Sequence, residues 1–327
     1  MLRIHGELST LQEHPPLEAS DTIDAFREIT TDAQKTRFGM DQELDFSYGI
    51  PGLGRFRVNA SVQRGTICLA FRRFPPSVPK LDELTLPGIC SALALKSQGL
   101  ILATGPTGTG KSTTLAAMID HINRNRARLI VTIEDPIEYL HRDRRSMISQ
   151  REVGSDTHSF AGAVRSALRQ DVDVIMVGEM RDLQTMTACI TAAETGHLVF
   201  STLHTSSAPM TIDRIVDAFP AHQQSQVRLQ LSMSLLAVLS QILVPSASNA
   251  GRVPAIEVMI SNDAVRNLIR EAKTHQLSNV IQTGASDAMQ SLDQSLKGLY
   301  VEGLITREAA LAAASDEHML RRLLEAA

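Results

Sequence analysis

The chain has 327 residues, 43% of them hydrophobic, which is enough for two domains with separate cores. Its net charge of −4 lacks the global basic character of a nucleic-acid-binding protein, so no nucleic acid is expected among its partners. No apolar run approaches the length that spans a bilayer, so direct membrane insertion is not expected either.

The three cysteines, Cys68, Cys90 and Cys189, are far apart and form no C-x-x-C pair. They read as buried thiols of a cytoplasmic protein, with neither disulfides nor a zinc site. The N-terminus lacks a basic start followed by an apolar core, so no signal peptide is expected. There is no internal repeat and no low-complexity tract.

Residues 1–20 show little periodicity and read as an irregular start. Residues 23–38 read as one helix, and residues 44–48, 54–62 and 66–72 as strands. In RFRVNASV, Phe56, Val58 and Ala60 alternate with Arg55, Arg57 and Asn59, as in a half-buried antiparallel strand. Residues 1–73 therefore form a small α+β domain. Residues 74–87 carry four of the thirteen prolines and read as a stiff linker.

From residue 88 to residue 327 the pattern becomes α/β. Strands are expected at 100–103, 129–133, 172–177 and 197–202, each ending in a polar motif. Ligands of an α/β sheet sit at the carboxyl ends of its strands. From Pro220 onward the chain reads as mostly helical: residues 227–243 as a core helix, residues 264–272 and 306–314 as further helices. The arginines Arg142, Arg144 and Arg145 read as a solvated surface.

The first polar motif follows GLILAT. Gly105, Pro106, Thr107, Gly108, Thr109, Gly110, Lys111 and Ser112 match G-x-x-x-x-G-K-[ST] in full, and Thr113 follows. A helix begins there, with Leu115, Met118, Ile119 and Ile122 on one face. Strand, glycine loop and helix are the setting of a phosphate-binding loop. Backbone N–H groups and the helix N-terminus cradle the phosphates. Lys111 reaches the β- and γ-phosphates of ATP, and Ser112 holds Mg²⁺.

Hydrolysis also needs an oriented water and stabilisation of the transition-state charge. DVIMVGEMRD places Glu179 where a Walker B carboxylate stands near the metal. TIEDPIEY places Glu134, Asp135 and Glu138 after a strand, and one of them is expected to activate water. His197 and His204 bracket HLVFSTLH, where a histidine senses the γ-phosphate or holds a neighbouring carboxylate. The small domain is rich in arginine (Arg55, Arg57, Arg64, Arg72 and Arg73), the partner of developing phosphate charge.

GPTGTGKST, IEDPIEY, VGEMRD and TAAETGHLVFSTLHT occur in the order of the Walker A, Asp box, Walker B and His box of the secretion and pilus ATPases. The chain resembles that family from about residue 43 to residue 303. QREVGSDTHSFAGAVRSALRQD and AVRNLIRE are similar to segments of PilT-type retraction ATPases.

The resemblance implies a RecA-like P-loop domain with a helical C-terminal part after a PAS-like N-terminal domain. It implies Glu138 as general base, Glu179 as the Walker B carboxylate and His197 with His204 as the His-box pair. It also implies Arg57 and Arg72 as arginines reaching a nucleotide between subunits. The assembly it implies is a homo-hexamer that hydrolyses ATP with Mg²⁺. Such a motor works at the cytoplasmic face of the inner membrane on a pilus platform protein, retracting type IV pili for twitching motility.

Two features depart from the family pattern. Val172 stands where the family has proline, and the strand is expected to survive that change. The chain opens at MLRIHGEL, so the first domain is expected to be truncated at its start. The four-cysteine zinc module of extension and secretion relatives is missing, which favours retraction. PilU-like accessory motors and type II/IV secretion ATPases are the alternatives within the enzymes. A nucleotide-binding regulatory scaffold is the alternative outside them.

Overall fold

Contacts in the computed structural model divide the chain into Met1–Pro76 and Ser77–Ala327. The structure describes residues 1–4, 7–11, 14–248 and 251–325.

The first unit opens with two short antiparallel strands, β1 (Leu2–Ile4) and β2 (Glu7–Ser9), where an irregular start was expected. The single helix expected over residues 23–38 is two, α1 (Ala19–Ile29) and α2 (Asp32–Asp41). Thr31 breaks it. Its backbone is extended, its Oγ1 accepts from Gln34 N at 3.3 Å, and its own N–H donates to Gln34 Oε1 at 2.8 Å. This reciprocal capping box starts a new helix whatever the hydrophobic period says.

Strands β3 (Glu43–Ile50), β4 (Gly54–Gln63) and β5 (Thr66–Arg73) form an antiparallel sheet in that order. Its core joins Phe26 and Phe38 of the helices to Leu44, Phe46, Val58 and Ala60 of the strands. Phe74 is buried too: its N–H donates to the Arg55 carbonyl at 2.9 Å, and the Arg55 guanidinium lies over its ring. Cys68 is exposed, contrary to the expectation of three buried thiols, because it falls on the outward register of β5. Cys90 and Cys189 are buried, and burial pushes both thiols up to about 12.

In the second unit, Leu81, Leu84 and Leu86 pack on a hydrophobic core, so much of the proline-rich segment is ordered against that unit. Seven strands form one sheet: β6 (Gly99–Thr104), β7 (Leu129–Glu134), β8 (Met147–Glu152), β9 (Val174–Val177), β10 (Leu198–Leu203), β11 (Leu235–Pro245) and β12 (Arg252–Ile260). Their spatial order is β12-β11-β6-β10-β9-β7-β8, and every pair is parallel except β11 with β12. Every residue of β6, β9 and β10 is buried, as expected of parallel strands covered on both faces. Val172 is buried and β9 forms after it.

Helices cover both faces. On one lie α3 (Ile89–Ala94) and α4 (Lys111–Asn125). The other core includes residues of α5 (Phe160–Ala167), α6 (Leu183–Glu194), α7 (Ala208–Asp217), α8 (Ala221–Ser234), α9 (Asp263–Arg270) and α10 (Leu277–Thr283). Three further helices, α11 (Leu292–Val301), α12 (Arg307–Ala312) and α13 (Glu317–Glu325), build a third cluster on Val244 and Ala255.

The core helix expected over residues 227–243 is therefore corrected. Helix α8 ends at Ser234 and the chain turns into β11, with β12 after it. The run LLAVLSQILV is apolar without a period, which a buried helix and a two-faced strand share. Pairing with β6 on one side and β12 on the other decides for the strand. The helical part begins only after β12.

Candidate functional site

The parallel order brings the carboxyl ends of β6, β7, β9 and β10 to one edge of the sheet. The glycine loop leaves β6 there and enters α4 at Lys111. Two of its glycines are required by both backbone and space. Gly105 has φ +139°, and a Cβ on it would lie 2.2 Å from the Gln241 carbonyl oxygen. Gly110 has φ +87°, and its Cβ would lie 2.9 Å from Gln241 Nε2.

Lys111 is buried, with Nζ donating to the Gly105 and Pro106 carbonyls at 2.7 and 2.9 Å. Burial lowers its pKa, and the carboxylates of Glu179 and Glu138 oppose that shift. The charges of Glu179 and Glu138 are thus felt at Lys111. Ser112 is exposed at the start of α4, and the Thr113 hydroxyl hydrogen-bonds the Tyr139 hydroxyl at 2.9 Å. The loop helix is thereby tied to the Asp box.

The three Asp-box carboxylates occupy different surroundings. Glu134 is only 8% exposed and accepts from Thr132 Oγ1 at 2.6 Å and Gln150 Nε2 at 3.2 Å. Burial pushes its pKa up to about 7. Asp135 is exposed, and Glu138 is half-buried. Residues of β8 hold the loop between them. Gln150 Nε2 also donates to the Tyr139 carbonyl at 2.9 Å, Gln150 Oε1 accepts from His141 N at 2.8 Å, and Glu152 accepts from Ile137 N at 3.1 Å.

Glu179 follows β9 and Gly178. It forms an ion pair with Arg181 Nε at 2.6 Å and lies 3.4 Å from His204 Nε2. Hydroxyls of β10 support the turn: Ser201 Oγ donates to the Val177 carbonyl at 2.9 Å and Thr202 Oγ1 to the Gly178 carbonyl at 2.6 Å.

His197 is not brought to this site within the chain. It precedes β10, and its carbonyl accepts from Gly99 N at the amino end of β6. Six strand residues separate it from His204, about 23 Å at the usual rise. Its Nδ1 lies 3.1 Å from the Ala192 carbonyl at the end of α6. Arg57 and Arg72 belong to the first unit, where they face each other across β4 and β5. Arg57 donates to Asp45 at 3.1 Å and Arg72 is exposed.

Gln241, Gln150 and Tyr139 were not singled out by motif. Gln241 could have been found: it and Ser240 are the two polar residues in LLAVLSQILV. Beside the loop, a cavity of about 250 Å³ is lined by Leu84, Leu86, Gly110, Thr113, Thr114, Gln241, Leu243 and Val253, among others.

Gly105 and Gly110 leave the loop backbone free of side chains, as close approach of phosphates requires. Among the described residues no group of three or more His, Cys, Asp or Glu side chains could hold a metal. Ser112 and Glu179 each carry oxygen donors of the hard kind that suit Mg²⁺ bound together with phosphates.

A family model for "Type II/IV secretion system protein" matches residues 88–310. A twitching motility protein of Neisseria gonorrhoeae is 48% identical over 321 residues, 98% of this chain and 85% of the relative. The type IV pilus retractation ATPase PilT of Pseudomonas aeruginosa is 49% identical over 310 residues, 95% of this chain and 90% of the relative. Among solved structures, the pilus retraction motor PilT with bound ADP superposes with a TM-score of 0.90 at 48% identity, covering 98% of this chain and 91% of that one.

Proposed function

We propose that this chain, which belongs to the Type II/IV secretion system protein family, is a motor ATPase that retracts type IV pili and so drives twitching motility. The observation that carries the reading is the glycine loop with its buried lysine, Lys111, leaving β6 for α4 at the carboxyl edge of a parallel sheet.

Lys111 binds the terminal phosphates, and the loop N–H groups with the α4 N-terminus cradle the rest of the chain. Ser112 and Glu179 would hold Mg²⁺, which when bound neutralises charge on the phosphates. Glu138 takes the proton of the attacking water. Its half-buried position leaves it open to water, whereas Glu134 is occupied by two donors from Thr132 and Gln150. His204 holds Glu179 in place. The cavity beside Gly110 and Thr113 suits the nucleoside half of ATP.

The assembly is a homo-hexamer in which Arg57 and Arg72 of the PAS-like first unit reach the nucleotide of a neighbouring subunit. It acts on a pilus platform protein at the cytoplasmic face of the inner membrane. Among the described residues no helix is long and apolar enough to cross a membrane. Deletion and complementation with imaging of pili tests the reading. Hyperpiliated cells that do not twitch are expected. Bald cells would make the protein an extension motor, and unaltered pili would remove it from the pilus system.

A further inference from the structure

Gln241 stands on β11, 3% exposed, with both ends of its side-chain amide engaged. Its Oε1 accepts from Thr114 Oγ1 at 2.8 Å, and its Nε2 donates to the Thr109 carbonyl at 2.7 Å. Its main-chain carbonyl packs against Gly105 and its amide nitrogen against Gly110, so closely that neither position has room for a Cβ. The preceding residue reaches the strand before the loop: Thr104 Oγ1 donates to Ser240 Oγ at 2.9 Å. One strand therefore touches the phosphate loop where it starts and ends, and also the first turn of α4.

The direction of the Thr109 bond gives the contact a consequence for the ligand. In a planar trans peptide the C=O and the next N–H point in opposite directions. A Thr109 carbonyl drawn toward Gln241 turns the Gly110 N–H away from β11, toward the inside of the loop where a phosphate oxygen would accept it. A buried amide also costs free energy unless it is fully bonded. Leucine would fill similar space in this apolar strand without that requirement. Both bonds of the amide go to the loop and its helix.

We propose that Gln241 is a positioning residue for the phosphate loop: it fixes the peptide between Thr109 and Gly110 and the first turn of α4, and thereby sets affinity for the phosphates of a nucleotide. This rests on the ATPase reading of the same site.

The test uses the full chain, with Mg·ADP affinity from calorimetry and ATP turnover from steady-state kinetics. Gln241→Leu weakens ADP binding about tenfold and raises KM to match, with kcat at saturation within about threefold of wild type. Thr114→Val, which loses one of the two bonds, weakens ADP binding about threefold. Thr114→Ser, which keeps the hydroxyl, restores it. Thr114→Val adds nothing once Gln241 is leucine. Variants that melt earlier but bind ADP and turn over ATP with wild-type constants overturn the proposal. If Gln241→Leu fails to fold, the Thr114 pair decides: equal ADP affinity in its valine and serine forms overturns the proposal. A wild type that does not bind ADP would instead sink the ATPase reading, and the positioning role with it.

Discussion

At the carboxyl end of β10, His204 stands 3.4 Å from Glu179, the residue that follows β9 and Gly178. At the amino end of the same strand, His197 lies against the Ala192 carbonyl as α6 finishes. The two residues are alike in sequence, each next to a buried apolar strand, and unlike in what they meet. In a parallel α/β sheet, helix N-termini with unpaired N–H groups gather at the carboxyl edge, and helix C-termini with unpaired carbonyls gather at the other. One edge suits phosphate, and the other suits a group that donates to carbonyls. His197 does the second.

The contrast can be broken or sharpened by experiment. The largest effect is expected at the carboxyl edge itself. Glu138→Gln should lower ATP turnover by about two orders of magnitude or more while retaining ADP binding. Unchanged turnover would place the base on another residue. His204→Ala should follow with a loss of about tenfold, because Glu179 loses a neighbour that orients it. His197→Ala should keep turnover within about threefold and lower the melting temperature by a few degrees. Equal kinetic losses in the two histidine variants would erase the distinction between the edges.

Whether the carboxyl edge is complete within one chain is a further question. Arg57→Ala and Arg72→Ala should each reduce turnover several-fold in the assembled oligomer. When such a variant is mixed with Lys111→Ala subunits, shared sites should restore part of the activity. Activities that merely add on mixing would leave the arginines without a role across subunits.

The smallest kinetic effect is expected at Glu134, whose role shows in stability. Its folded pKa is raised from the ordinary carboxyl value to about 7 by burial. A raised folded pKa means that the folded chain holds the proton more tightly than the unfolded one. The resulting stabilisation is complete below about pH 4.5 and is lost as pH rises toward 7. Glu134→Gln should remove that slope, gaining up to about 3 kcal/mol on the wild type between those limits. Parallel pH profiles for the two proteins would show that Glu134 is ionised without cost.

Much of the site is legible in the chain because its parts are contiguous. Gly105 to Ser112 specify strand exit, turn and helix entry within eight residues, and Glu179 follows a four-residue apolar strand by one glycine. The α/β alternation survives for the same reason, since each buried strand is a short run bounded by turn residues. Residues 23–38 failed as one helix because a single side-chain cap at Thr31 outweighs a continuing period. Residues 235–243 failed as a helix because an apolar run carries no period when both faces are buried. Of the three Asp-box carboxylates, sequence spacing alone could not separate Glu134 from Glu138. The difference lies in Thr132 and Gln150, one of them on the neighbouring strand.

The sequence by itself determined that a glycine loop of the phosphate-binding pattern stands at Gly105–Ser112, between a buried strand and a helix, because those requirements are met by near neighbours in the chain. Only the tertiary structure decided which histidine faces Glu179, which glutamate is buried, and that Gln241 reaches the loop from more than a hundred residues away. Those outcomes depend on strand order and register, which place β11 and β10 on either side of β6. Pairing of that kind is set by the whole sheet, and no local stretch of sequence encodes it.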